Sequence, residues 1–166
     1  DERSALAAQC RQHGIVLFED DPYRDLSYGD CARRPICADL AGASWIYQGS
    51  FSKSLAPGLR LGYLACSADL LPLLTRLKQA ADLHSNRLSQ ALVLAALTDP
   101  SRATRTAGLI EFYARRRDGF AALLDEHVGT LADWAVPTGG LFFWLMLREQ
   151  PAQDTRTLLP RALARG

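Results

Sequence analysis

The 166-residue sequence predicts an α/β fold. Three observations carry that prediction. An amphipathic opening segment passes through a glycine into a short apolar run, which is an α-to-β step. A second strand-like run ends on a polar loop and is followed closely by a third. The second half is then dominated by helical patterns.

Residues 2–12 read as an amphipathic helix with Leu6, Ala7 and Cys10 on its apolar side, and Gly14 suits a C-terminal cap. Ile15-Val16-Leu17-Phe18 reads as a buried strand. It runs into Glu19-Asp20-Asp21-Pro22-Tyr23, where Pro22 removes a ladder donor. Residues 26–40 are irregular, broken by Gly29 and Pro35. Residues 45–50 form the second predicted strand and 61–66 the third, antiparallel to a neighbour because the return loop is short.

Helices follow. Residues 68–80 have Ser67 as N-cap, and Pro72 allows the regular helix to begin one turn later. Residues 89–97 are nearly all apolar, which predicts a helix buried on most sides, with Ser85 or Asn86 as its cap. Residues 101–128 form one amphipathic pattern, about 40 Å long at the helical rise. Strands over 134–136 and 141–147 flank Pro137-Thr138-Gly139-Gly140, taken as a tight turn, and 155–165 is the last helix.

Composition narrows the function classes. Hydrophobic content of 48% with 22% charged residues is that of a soluble globular protein. A formal charge of +1 gives no electrostatic case for nucleic acid or an acidic membrane. Arg115-Arg116-Arg117 lies in a helical pattern and reads as a solvated face. The apolar run 141–147 is too short to span a bilayer, and the polar, charged first residues show no signal peptide. Cys10, Cys31, Cys37 and Cys66 have no C-x-x-C spacing and the three histidines are scattered, so no metal site or disulfide framework is expected. Reduced thiols in a cytoplasm are the default.

Chemistry concentrates around Lys53, one of only two lysines against 17 arginines. A lysine condenses with an aldehyde, which a permanently charged guanidinium does not do. Ser50 and Ser52 flank it and Arg60 follows, a set suited to a phosphate ester. An aldehyde that also carries a phosphate is pyridoxal 5'-phosphate (PLP). Upstream, the predicted strand delivers acidic and phenolic groups at its carboxyl end, where open α/β sheets place ligands. A carboxylate there can keep a pyridine nitrogen protonated, and Tyr23 can hydrogen-bond a ring oxygen. Spacing alone does not separate Asp20 from Asp21. Glu19 is a further acid, and solvent exposure or capping is the plainer role for Glu19 and Asp21. Lys78, mid-helix, reads as a solvated control, and core packing is the plainer role for Tyr28 and Tyr63.

These motifs, with Pro137-Thr138-Gly139-Gly140-Leu141-Phe142-Phe143-Trp144, resemble the fold-type I, class I/II PLP-dependent aminotransferases. The similarity is greatest to the branch containing 2-aminoadipate and kynurenine aminotransferases. The resemblance implies Lys53 as the Schiff-base lysine and general base, and Asp20 and Tyr23 as the family's Asp-x-x-Tyr pair on the ring. It implies Ser50 and Arg60 as phosphate ligands, with Ser52 a further candidate. It also implies a three-layer α/β/α large domain with a mostly parallel sheet over 1–105. Residues 106–166 would then be a linking helix and part of a small α+β domain.

The family's Asn-Pro-x-Gly motif is not in the chain, nor are its phosphate loop and stacking aromatic recognised. The sequence therefore reads as a central-to-C-terminal part of a longer enzyme. That enzyme is expected to be a cytoplasmic homodimer acting on amino acid and 2-oxo acid substrates, without nucleic acid or membrane partners. A long acidic or aromatic amino donor is the family-level expectation. Two alternatives stand beside it: the aminotransferase-like effector domain of a PLP-binding transcription regulator, and a non-functional truncation product.

Overall fold

The structure, a computed structural model, describes residues 2–30, 34–148 and 155–165. These fall into two units, Asp1–Glu111 with Thr138–Gly140, and Phe112–Pro137 with Leu141–Gly166.

In the first unit, helix α1 (Glu2–His13) packs its buried Ala7 and Cys10 toward the sheet. It ends as the sequence predicts, with Gly14 at φ 62°. The Gly14 amide donates to the Arg11 carbonyl and the Ile15 amide to the Cys10 carbonyl at 2.9 Å, the two bonds of a Schellman cap. Ile15 is thereby consumed by the cap, and strand β1 occupies Leu17–Asp20 rather than 15–18.

Strand β2 (Trp45–Ser50) lies at the centre of a three-stranded sheet. It pairs in parallel with β1, Glu19 opposite Tyr47 and Asp20 opposite Gln48. It pairs antiparallel with β3 (Gly62–Cys66), Gly49 opposite Tyr63 and Ser50 opposite Gly62. Because β3 runs backwards, its beginning lies at the same end of the sheet as the ends of β1 and β2. A 3-10 turn, Ile36–Asp39, completes a small core of Ala7, Cys10, Cys37, Leu40 and Tyr47.

Ser67 does not cap the next helix. Its hydroxyl accepts from the Trp45 amide and its own amide donates to the Trp45 carbonyl, prolonging the β2–β3 ladder. Helix α2 starts later, at Leu71–Asp82, with Pro72 in its first turn. The Asn86 side chain caps α3 (Arg87–Thr98) by accepting from the Leu88 and Ser89 amides. The expected burial of α3 on most sides does not occur, since only Val93 is buried while Leu88, Leu92 and Leu94 are exposed. Helix α4 (Arg102–Val128) continues through the division between the units.

In the second unit, Phe120 meets Phe143 edge to face at 5.2 Å. Arg117 leaves the predicted solvated face, donating to the Pro137 carbonyl at 3.1 Å with only 19% of its side chain exposed. Strands β4 (Ala132–Asp133) and β5 (Met146–Leu147) form a short antiparallel pair. The predicted strand over 134–136 does not form, since β4 lies before it, and only the last two residues of 141–147 are strand, because residues 138–140 do not form their turn. Those residues belong to the first unit, where Tyr28 N–H donates to the Thr138 carbonyl and Gly140 N–H to the Leu26 carbonyl. Helix α5 spans Thr155–Leu163. No helix among the described residues is long and apolar enough to cross a membrane.

Candidate active site

The pleat of β1 sorts the three consecutive carboxylates, because successive side chains leave a strand on opposite faces. Glu19 turns to the core face beside Tyr47, with 10% of its side chain exposed. It accepts from the Ile36 and Cys37 amides at 3.0 Å each, capping the 3-10 turn from a distance, and Arg3 stands 3.5 Å away. Pairing with β2 runs one residue past β1, since the Asp21 amide donates to the Gln48 carbonyl at 2.9 Å. Asp21 shares the core face, where the Tyr47 hydroxyl donates to its Oδ2 at 2.9 Å and Arg24 lies 3.5 Å away. Asp21 is thus neither solvent-exposed nor a cap. Asp20 takes the other face and accepts from Gln48 Nε2 at 3.2 Å.

Burial and the Asp21 carboxylate raise the ionisation of the Tyr47 phenol above its ordinary range. Burial, with Glu19 alongside, pushes the Cys37 thiol up to about 11. Both groups therefore stay neutral beneath the sheet at ordinary pH.

The lysine loop is built on the far end of β2. The Phe51 amide donates to the Leu61 carbonyl, while the Leu55 and Ala56 amides both donate to the Phe51 carbonyl, wrapping Lys53 into a single turn. The Ser52 amide donates to Ser50 Oγ at 3.1 Å, so the Ser50 hydroxyl keeps its own hydrogen for another acceptor. Lys53 is exposed, and its Nζ lies 6.0 Å from the centroid of the Tyr23 ring. Arg60 follows a 3-10 turn, Pro57–Leu59, with a left-handed backbone at φ 48°. Such a conformation is uncommon for a residue with a Cβ and recurs at functional sites.

Tyr63 supports this loop rather than the core. It is 44% exposed, and its ring lies 5.4 Å from that of Phe51 and 6.3 Å from that of Tyr47. It also covers Gly49, where an added Cβ would come within 2.3 Å of the Tyr63 ring.

Ser50, Ser52 and Arg60 line one cleft of about 690 Å³, together with Gln48, Lys78 and Ser85. Lys53, Asp20 and Tyr23 are not among its lining, but Lys53 faces Tyr23 and Asp20 is held by a residue that is. Two hydroxyls and a guanidinium in one cleft suit a phosphate, with an amine, a phenol and a carboxylate nearby for a pyridine aldehyde. The donor set fits PLP. Lys78 is nearer to this chemistry than its helical setting suggests, although its ammonium is bound to Asp82 at 2.5 Å.

One further contact is hidden in the sequence. Tyr28 O–H donates to the Gly140 carbonyl at 2.6 Å, and Ser27 bridges Gly139. A Cβ on Gly139 would come within 3.0 Å of the Leu26 carbonyl oxygen, and Gly140 adopts φ 75°. The glycine pair therefore admits close backbone approach instead of closing a hairpin. The adjacent glycines themselves are the only hint of it in the sequence.

The family model described as aminotransferase class I and II matches residues 1–163. Aromatic-amino-acid aminotransferase 1 of Thermococcus litoralis is 34% identical over 164 residues, which is 99% of this chain and 39% of that protein. The crystal structure of LysN, the α-aminoadipate aminotransferase of Thermus thermophilus complexed with N-(5'-phosphopyridoxyl)-L-leucine, superposes with a TM-score of 0.81. That likeness is at 34% identity and covers 98% of this chain and 42% of the other. The HTH-type transcriptional regulator NorG of Staphylococcus aureus is 28% identical over 89% of this chain and 33% of its own. The chain spans about two fifths of the length of the curated aminotransferase relatives it matches, as the 39% above illustrates.

Proposed function

Because the chain belongs to the class I and II aminotransferases, we propose that the full-length protein is a PLP-dependent aminotransferase moving an amino group between an amino acid and a 2-oxo acid. The observation that carries the reading is convergence at one end of the sheet. Asp20 leaves β1, Ser50 leaves β2, and Arg60 precedes β3, with Lys53 set against Tyr23 between them.

In this reading Ser50, Ser52 and Arg60 hold the phosphate by charge-assisted hydrogen bonds. Asp20 keeps the ring nitrogen protonated, and the Tyr23 phenol orients the ring oxygen. Bound PLP supplies an electron sink for the charge left when a substrate loses its α-proton. Lys53 anchors the cofactor and then serves as general base, its Nζ accepting that proton and returning it. Residues 1–105 would lie in the cofactor domain and 106–166 in the linking helix and small domain. A cytoplasmic homodimer active in amino acid metabolism, biosynthesis included, completes the proposal. The relatives named for aromatic and α-aminoadipate substrates make long acidic or aromatic amino acids the first donors to try.

The test uses borohydride reduction of the full-length protein with PLP. Lys53→Ala should abolish the reduced adduct while Lys78→Ala leaves it intact. Lys78 is a demanding control because it lines the same cleft. Peptide mapping that placed the adduct on Lys78 would remove the central assignment.

The likeness to NorG supports a second reading, the effector domain of a PLP-binding transcription regulator. Sustained turnover with glutamate and a panel of 2-oxo acids favours the enzyme. PLP binding without turnover, accompanied by DNA binding, favours the regulator.

A further inference from the structure

We propose that Tyr47 is a positioning residue for the cofactor, acting through the Asp21 carboxylate to fix the turn that carries Tyr23 and the strand end that carries Asp20. The inference rests on the PLP reading above and adds a residue to it. Three features of the turn lead there.

The first is where backbone support stops. The last amide of this segment paired with β2 is that of Asp21, donating to the Gln48 carbonyl at 2.9 Å. Pro22, next in the chain, has no amide hydrogen to donate. Tyr23 is therefore presented by a segment that the ladder no longer holds.

The second is what replaces the ladder. Asp21 accepts the Tyr47 hydroxyl at 2.9 Å and faces Arg24 Nη1 at 3.5 Å through the same oxygen, Oδ2. Asp21 and Arg24 flank Pro22-Tyr23, so their ion pair closes a clamp across the turn. Arg24 Nη1 is shielded from water, and the Tyr47 hydroxyl and the Asp21 carboxylate beside it compensate its charge.

The third is that the clamp is fastened to something rigid. Tyr47 is 7% exposed, sits on the central strand, and packs with Ala7, Cys10, Cys37 and Leu40. Loss of its hydroxyl would release the Asp21 carboxylate from the core. The core itself would be intact, because phenylalanine fills the same space. Tyr47 touches none of the groups assigned to the cofactor, so its effect passes through placement alone.

The experiment compares the full-length protein with its Tyr47→Phe, Asp21→Ala and Asp21→Asn variants. PLP affinity and the visible circular dichroism per bound cofactor are measured beside thermal unfolding of the apo form. Tyr47→Phe and Asp21→Ala are each expected to weaken PLP binding by about tenfold, the size of one lost hydrogen bond, and to change the dichroic band. Asp21→Asn keeps an oxygen for the Tyr47 hydroxyl but loses the charge facing Arg24, so both signals should fall between those of wild type and Asp21→Ala. Wild-type affinity and dichroism in both Tyr47→Phe and Asp21→Ala would overturn the inference, as would lowered thermal stability with neither signal moved. Should Tyr47→Phe fail to fold, Asp21→Ala decides by the same criteria. A wild-type protein with no bound-cofactor band would instead overturn the PLP reading itself, so the two failures are distinguishable.

Discussion

Asp20 and Asp21 are identical in chemistry and adjacent in sequence, yet the strand sends them to opposite sides. Asp20→Asn should retain PLP but lose activity by roughly a hundredfold or more, because a neutral amide does not hold a pyridinium proton by charge. Asp21→Asn should be mild, since its amide oxygen still accepts from Tyr47. Steady-state kinetics on both variants provide the check, and the reverse order would mean that the assignment of the pair is displaced by one. A second effect at this scale concerns pH. Burial raises the Cys37 thiol from 9.0 to about 11, so the fold favours its neutral form. The stability this contributes is complete below about pH 9 and is lost as pH rises to about 11, because the unfolded thiol releases its proton first. Tyr47, also raised from 10.0, adds to the loss above that pH. Urea melts of the 166-residue chain at pH 8, 10 and 11 should show the decline flattened in Cys37→Ala. An equally steep decline in that variant would exclude Cys37 as a source.

Between β2 and β3, Gly49 and Tyr63 form one cross-strand unit. An added Cβ would sit 2.3 Å from the Tyr63 ring, so Gly49→Ala must displace the ring that supports Phe51. A loss of about 1–3 kcal/mol is expected from such overpacking. Gly49→Ala combined with Tyr63→Ala should cost less than the two single changes added together, and denaturant melts of the four proteins measure that coupling. Strict additivity would show that the ring moves aside freely. Other elements differ in how openly the sequence announces them. Residues 45–50 were legible to the residue because an apolar run meets Gly49-Ser50, and α3 was legible in place because Asn86 caps it. The start of β1 was hidden, as Ile15 looks like strand but its amide belongs to the helix cap. The β4–β5 pairing was hidden for a different reason: the contact of 138–140 with 26–28 joins residues more than a hundred apart, and no local pattern encodes it. Within the candidate site, residue types and spacing suggested the phosphate set. The family resemblance singled out Asp20, while only the pleat showed which face each carboxylate takes and revealed the Tyr47 contact.

Across the whole molecule, apolar surface remains uncovered: Phe18 and Leu64 on the sheet are each more than half exposed, as is Leu94 on α3. Strands β1 and β3 each have one neighbour in their sheet. Residues 1–166 produced alone should therefore associate as concentration rises, bind PLP weakly or not at all, and show no transamination. Size-exclusion chromatography, PLP titration and assays with glutamate provide the test. Micromolar binding with sustained turnover would show that these residues form a sufficient site. The central position of β2 has a consequence in time as well as in space. Its amides alone in the three-stranded sheet lie between two neighbours, so their hydrogens exchange with solvent only when the sheet itself opens. Ser50 at one end of that strand lines the cleft proposed for the phosphate. A ligand that ties Ser50 to Arg60 must therefore slow proton exchange along the strand as far as Trp45. Isotope uptake in the middle of the sheet thus becomes a clock that reads occupancy at the end of its central strand.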